Sequence, residues 1–240
     1  MEQITSDTFF NGSVRVAQPD KGYRYSIDAI LLASLPRPKA GESLLDLGTG
    51  CGIIPLILAF RHPGIKITAV EVQSELARLA ELNAVANGMQ DRIRVLHTDM
   101  RQLTTEMLNG PADWIVSNPP YRPACSGRIN PDSQRALARH EINLNLRQLT
   151  KTTRRLLKTG GRFGIIYPAE RAVDLLNEMR SARLEPKALR CVHSQARDAA
   201  KLVLVRGVMG GKPGLKIEPP LVIYGSDGQY SEAVRIMMTP

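Results

Sequence analysis

From Ser43 to Phe163 short apolar runs alternate with longer amphipathic stretches, and this alternation constrains the fold more than any other feature. Residues 44–47, 66–71, 93–97, 113–117 and 162–166 read as buried strands. Residues 53–60, 74–86 and about 141–157 read as helices; Ser74 is placed to cap the second and Asn87-Gly88 to end it. Strands that alternate with helices predict a parallel sheet with helices on both faces. Residues 188–192 and 200–208 read as strands without a long helix between them, so an antiparallel edge is expected. Upstream, Ser26 can cap a helix running to about Leu35. The tail after 208, with Gly210-Gly211-Lys212-Pro213-Gly214 and Pro219-Pro220, reads as loop-rich.

The strand ends carry the chemistry. Asp46-Leu47-Gly48-Thr49-Gly50-Cys51-Gly52 closes the first strand and opens a helix. Glycine at 48, 50 and 52 permits tight turning and close ligand approach. The dinucleotide fingerprint G-x-G-x-x-G needs glycine at 53, where Ile53 stands. Glu71 ends the next strand, where a carboxylate can accept from two ribose hydroxyls. Asp99 follows the third strand and can meet an adenine amine. No phosphate-binding lysine accompanies the loop, and Asp46 adds negative charge. A nucleoside with a cationic end and no phosphates is the expected ligand.

Asn118-Pro119-Pro120-Tyr121 follows the fourth strand. Tyr121 offers a face for stacking and Asn118 an acceptor carbonyl. The prolines fix chain direction, and their own residues bring no competing N–H. The combination suits a planar group bearing an –NH₂. As isolated features, a glycine turn and a proline-rich turn are weak signals. Their conjunction with Glu71 and Asp99 at successive strand ends is strong.

The net charge of +9 is unevenly spread. Residues 41–99 hold five Lys/Arg against seven Asp/Glu, residues 122–162 ten against two, and residues 183–216 eight against two. A mildly acidic core with two basic segments fits a partner built of phosphates. Arg122, Arg128, Arg135 and Arg139 follow the Asn118 motif and are the first candidates for phosphate contact; Arg197, Lys201, Lys212 and Lys216 are weaker ones. No apolar run approaches a membrane span, and the run at 53–60 contains Pro55. The polar, acidic first residues do not read as a signal peptide. Cys51, Cys125 and Cys191 form no C-x-x-C pair, so neither a disulfide framework nor a metal site is expected. The expected setting is the cytoplasm.

In order and spacing, Asp46–Gly52, Glu71, Asp99 and Asn118–Tyr121 resemble the motifs of class I S-adenosylmethionine-dependent methyltransferases. The Asn-Pro-Pro-Tyr form is typical of those that methylate amino or amide nitrogens. The stretch from Gly22 to Ala33, Arg139-His140-Glu141 and the tail at 210–216 resemble the bacterial tRNA(Val) adenine-N6 methyltransferase family. The resemblance implies a Rossmann-like fold: a mostly parallel seven-stranded sheet with an antiparallel edge strand and helices on both faces. It implies an N-terminal segment (1–40) closing over the cofactor, a methyltransferase domain (41–208) and a C-terminal appendage (209–240), all one domain overall.

S-adenosylmethionine would be the cofactor, S-adenosylhomocysteine the product and tRNA the partner. Leu47, Gly48, Gly50, Cys51 and Gly52 would hold the methionine part, with Asp46 near its ammonium. Glu71 would bind the ribose, Asp99 would contact the adenine amine with Met100 packing on the ring, and Val72 would be a further cofactor contact. Tyr25 and Ser26 would close over the methionine end. Asn118, Pro119, Pro120 and Tyr121 would be catalytic, with Asn118 also beside the cofactor. Read from residues alone, the acceptor stays open among a tRNA adenine, a protein glutamine, a guanine amine of ribosomal RNA and adenine in DNA. A noncatalytic RNA-binding module and a nucleotide-linked dehydrogenase are the rivals of other classes. The intact tetrapeptide opposes the first and the glycine spacing the second.

Overall fold

The computed structural model describes residues 4–20, 26–119 and 146–239. A hairpin, β1 (Ile4–Phe9) and β2 (Val14–Pro19), comes first and is followed by helix α1 (Ile27–Ala33). Then come β3 (Ser43–Leu47), α2 (Ile53–Arg61), β4 (Lys66–Glu71), α3 (Ser74–Ala86), β5 (Ile93–His97) and β6 (Ala112–Ser117). After the undescribed stretch come α4 (Leu146–Leu156), β7 (Leu157–Pro168), α5 (Ala172–Ser181), β8 (Leu184–His193) and β9 (Ala200–Met209). Two short strands, β10 (Lys216–Ile217) and β11 (Leu221–Val222), and helix α6 (Glu232–Met238) end the described chain.

The main sheet runs β10-β8-β9-β7-β6-β3-β4-β5, with β11 also on the outer edge of β8. Strands β7, β6, β3, β4 and β5 pair in parallel. The chain builds outward from β3 through β4 to β5, then returns to β3's other side with β6. Between β3 and β6 the order reverses, and in such sheets ligands bind beyond the carboxyl ends at that point. Ser117 Oγ donates to Leu47 O at 2.8 Å and ties the two strand ends together there.

The parallel strands are covered on both faces, which explains their nearly unbroken apolar sequences. Leu44, Trp114 and Val116 enter one core with α1, α2 and the hairpin, while Leu45, Leu47 and Ile115 enter the other with α4 and α5.

Three expectations are revised. The antiparallel strand, β9, lies inside the sheet, between β8 and β7 and antiparallel to both. The crossover through α5 skips a place in the sheet, and the short β8–β9 connection folds β9 back into the gap. Gln73, not Ser74, occupies the N-cap position of α3 and makes no side-chain cap bond; Glu71 Oε1 instead accepts from the Val72 and Gln73 amides at 3.0 Å each. Helix α1 stops at Ala33, short of Leu35. Ser26 does cap it, its Oγ accepting from Asp28 N at 3.3 Å.

The hairpin was not anticipated. Its turn holds Phe10, Asn11 and Gly12 at positive φ. Val14 and Val16 are fully buried, and Phe10 stacks on Phe60 of α2 with centroids 4.7 Å apart. The tail is also packed in: β10 and β11 extend the sheet, and Leu221, Ile223 and Val234 join the hairpin-side core.

Candidate functional site

The glycine turn connects β3 to α2 and is held from the neighbouring strand. Gly48 and Thr49 both donate their amides to Val70 O at 2.9 Å. Gly48 has a φ of +79°, and a Cβ there would meet nothing within 4 Å. Glycine is therefore required by conformation, and it leaves open space beside the strand end. Gly52 is required for a second reason: with φ at +86°, an added Cβ would lie 3.1 Å from Ala80 Cβ on α3.

Asp46 is fully buried at the end of β3, and neither carboxylate oxygen has a hydrogen-bond partner among the described residues. Burial, reinforced by the nearby Glu71 carboxylate, pushes its pKa up to about 7. Thr49 sits close enough to favour the carboxylate, yet its own hydroxyl makes no hydrogen bond of good geometry. Buried polar groups are nearly always partnered, so an unpartnered carboxylate beside a hydroxyl and an open glycine turn is a site for something else. The donor set fits a cationic, hydrogen-bonding group such as an ammonium.

Glu71 ends the adjacent strand and is held quite differently. Its Oε2 accepts from Gly50 N at 2.9 Å and its Oε1 from the Val72 and Gln73 amides. Burial raises its pKa and these amides oppose the rise. The same carboxylate thus fixes the glycine turn and the start of α3. Val72, next to it, leaves its apolar side chain 51% exposed at the strand end.

Asp99 follows β5 and accepts from Arg101 N and Nε at 2.8 Å each. The Arg101 guanidinium beside it holds its carboxyl below the usual range. Met100 is buried. Arg155 of α4 donates Nη2 to the carbonyls of Met100 (3.3 Å) and Arg101 (3.0 Å), bracing this turn from a helix distant in sequence.

Ser117 ends β6 beside Leu47, so the next residue, Asn118, lies beyond the reversal point of the sheet. Asn118 is half-buried and Pro119 buried. The structure thus gathers Asp46, Leu47, Gly48, Gly50, Cys51, Gly52, Glu71, Val72, Asp99, Met100, Asn118 and Pro119 along the carboxyl ends of β3 to β6. Ser26 stands at the start of α1. Tyr25, Pro120, Tyr121, Arg122, Arg128, Arg135 and Arg139 lie outside the described residues.

The sequence reading passed over Thr49, Ser117 and Arg155. Thr49 lies within the glycine motif and Ser117 directly precedes Asn118, so both were detectable as polar residues at strand ends. Arg155 carried no local signal, since its partners are backbone carbonyls of another loop.

Comparison with known proteins assigns the family. Residues 25–179 match the methyltransferase small domain family. A tRNA1(Val) (adenine(37)-N6)-methyltransferase of Porphyromonas gingivalis is 33% identical, the match covering 97% of this chain and 94% of that protein. The protein of the same name from Aeromonas hydrophila is also 33% identical, over 89% and 87% of the two chains. Among solved structures, one described as a predicted O-methyltransferase from Agrobacterium tumefaciens superposes with a TM-score of 0.71 at 21% identity, covering 88% of this chain and 94% of that one. A Thermotoga maritima O-methyltransferase has a TM-score of 0.55 at 18% identity, over 80% and 68%. At those identities the two structures speak for the fold alone. The chain belongs to the methyltransferase small domain family, together with the tRNA methyltransferases it matches over most of its length.

Proposed function

We propose that this protein transfers the methyl group of S-adenosylmethionine to the N6 amine of an adenine in tRNA. The single observation that carries the reading is the constellation at the sheet's reversal point. There a buried, unpartnered Asp46 faces a glycine turn, and Asn118-Pro119 follows the neighbouring strand. The cofactor, when bound, supplies a methyl group already activated on a sulfonium, so the chain need not supply a nucleophile.

Asp46 and Thr49 would hold an ammonium, and Leu47, Gly48, Gly50, Cys51 and Gly52 would cradle the chain that bears it. Glu71 would accept from ribose hydroxyls while keeping its amide donors. Val72 and Met100 would supply apolar contact to the adenine ring and Asp99 an acceptor for its amine. Tyr25 and Ser26, within segment 1–40, would cover the methionine end. Residues 41–208 would carry the transfer itself, with 209–240 appended to the sheet edge.

An exocyclic adenine amine is a poor nucleophile because its lone pair is delocalised into the ring. Acceptors at the Asn118 side chain and the Pro119 carbonyl would bind its N–H groups and favour a pyramidal nitrogen. They would also stabilise the positive charge that develops on attack, an interaction realised mainly in the transition state. Tyr121 would stack on the splayed-out base, worth about 1–3 kcal/mol. Alignment of amine and methyl can contribute up to about 7–11 kcal/mol in ideal cases.

A tRNA substrate is supported by the relatives and by the charge of α4. Arg147, Lys151 and Arg154 lie exposed on one face of that helix, which carries no carboxylate. Arg122, Arg128, Arg135 and Arg139 precede it and would extend the same phosphate contacts.

The test is methyl transfer from labelled cofactor to total RNA, DNA and protein fractions, followed by identification of the modified nucleoside. Label is expected in tRNA as N6-methyladenosine, and Asn118→Ala should abolish it. Label in protein or DNA alone would overturn the substrate.

A further inference from the structure

Helix α3 and its C-cap carry two asparagines one turn apart, Asn83 and Asn87, that pair with the hairpin as a strand would. Asn87 Oδ1 accepts from Arg15 N at 2.8 Å and its Nδ2 donates to Arg15 O at 2.7 Å. Asn83 Oδ1 accepts from Ala17 N at 2.8 Å and its Nδ2 donates to Ala17 O at 2.8 Å. The spacings match: four residues of helix advance about 6 Å, and two residues of strand about 6.6 Å. The edge of β2 is therefore satisfied by side-chain amides in place of a partner strand.

The two rungs differ in one respect. Asn87 spends its other amide hydrogen on its own helix, donating to Asn83 O at 2.7 Å. Asn83, only 2% exposed, spends its own on Cys51 O at 2.8 Å, in the glycine turn. The close fit of Gly52 against Ala80 lies one turn back on the same helix. One buried carboxamide thus joins three pieces: the hairpin, α3 and the turn that would cradle the cofactor.

We propose that Asn83 is a positioning residue for the cofactor, setting the Cys51 peptide of the glycine turn and coupling cofactor binding to docking of the N-terminal hairpin. This rests on the cofactor reading above. Asn83 touches neither reactant; it acts through the Cys51 carbonyl on one side and Ala17 on the other. By linkage, a ligand that orders the turn must also strengthen docking of the hairpin, by the same factor.

Asn87 supplies the control, since it makes the same rung without the contact to Cys51. S-adenosylhomocysteine binding is measured by calorimetry on the full chain, on Asn83→Ala and on Asn87→Ala, with the melting temperature of each. Both variants should lose stability, but Asn83→Ala should bind roughly tenfold more weakly, within the range usual for coupled sites. Asn87→Ala should stay within about twofold of the parent. In the unaltered chain, the ligand should slow hydrogen exchange at the Ala17 amide. Equal affinity losses in the two variants, or unchanged exchange at Ala17, would overturn the coupling and leave the cofactor reading intact. Failure of the unaltered chain to bind S-adenosylhomocysteine would overturn both.

Discussion

Asp46 and Glu71 end adjacent parallel strands, and both carboxylates are buried, yet their surroundings are opposite. Glu71 accepts from the amides of Gly50, Val72 and Gln73. Asp46 accepts from none of the described residues, although Thr49 is near. Glu71 therefore belongs to the architecture as much as to the ligand site: it shapes the turn that surrounds it. Burial of the Asp46 carboxylate without such amides disfavours its charged form, and in the proposed function a cationic group would partner it. What separates the two carboxylates is whether backbone amides converge on them: three do on Glu71, and none of the described ones on Asp46.

Isosteric substitutions at the two carboxylates should have opposite effects on stability. An acid whose folded pKa is raised makes the folded state less stable as pH rises from the unfolded value toward the folded one. For Asp46 that window runs from 3.8 to about 7, at a cost of up to about 4 kcal/mol. Asp46→Asn should therefore raise the ligand-free melting temperature at pH 8 while weakening S-adenosylhomocysteine at least about tenfold. Glu71→Gln turns a donor toward a backbone amide and should lower stability by about 1–3 kcal/mol, also with weaker binding. A stabilised Glu71→Gln or a destabilised Asp46→Asn in thermal melts would erase the distinction.

A smaller effect sharpens it. Below about pH 7, Asp46 in the ligand-free protein takes up a proton, and an incoming ammonium must displace it. Affinity for S-adenosylhomocysteine should fall as pH drops from 8 to 6, by up to about tenfold per unit on the acid side. The fall should vanish in Asp46→Asn; calorimetry across that range reads both.

The smallest expected effect lies at the adenine end. Arg155→Ala removes the brace on the Met100 and Arg101 carbonyls, which are reached from a largely exposed side chain. About threefold weaker S-adenosylhomocysteine is expected, in keeping with partly exposed hydrogen bonds worth under about 1 kcal/mol. A loss as large as that of Asp46→Asn would mean that the Asp99 end, not the Asp46 end, dominates binding.

Much of this was legible in the chain. The period of the apolar runs gave β3 to β7 and the helices between them, because strands covered on both faces must be apolar throughout. The glycine turn, Glu71 and Asp99 were legible because each sits at a strand end marked by a change of pattern. The hairpin was not, since its edge is completed by Asn83 and Asn87 from a helix far along the chain. Nor was the place of β9: hydropathy tells that a strand exists, not which gap it fills.

Sequence alone determined the parallel sheet, the positions of the acidic residues at its carboxyl ends, and the chemistry their motifs resemble. These follow from local pattern and from residue types that few other arrangements would require. It takes the packed fold to leave Asp46 without a partner among the described residues while Glu71 has three, to tie β6 to β3 through Ser117, and to join hairpin to turn through Asn83. Those facts depend on which backbone groups converge from elsewhere in the fold, and no local pattern of side chains records that convergence.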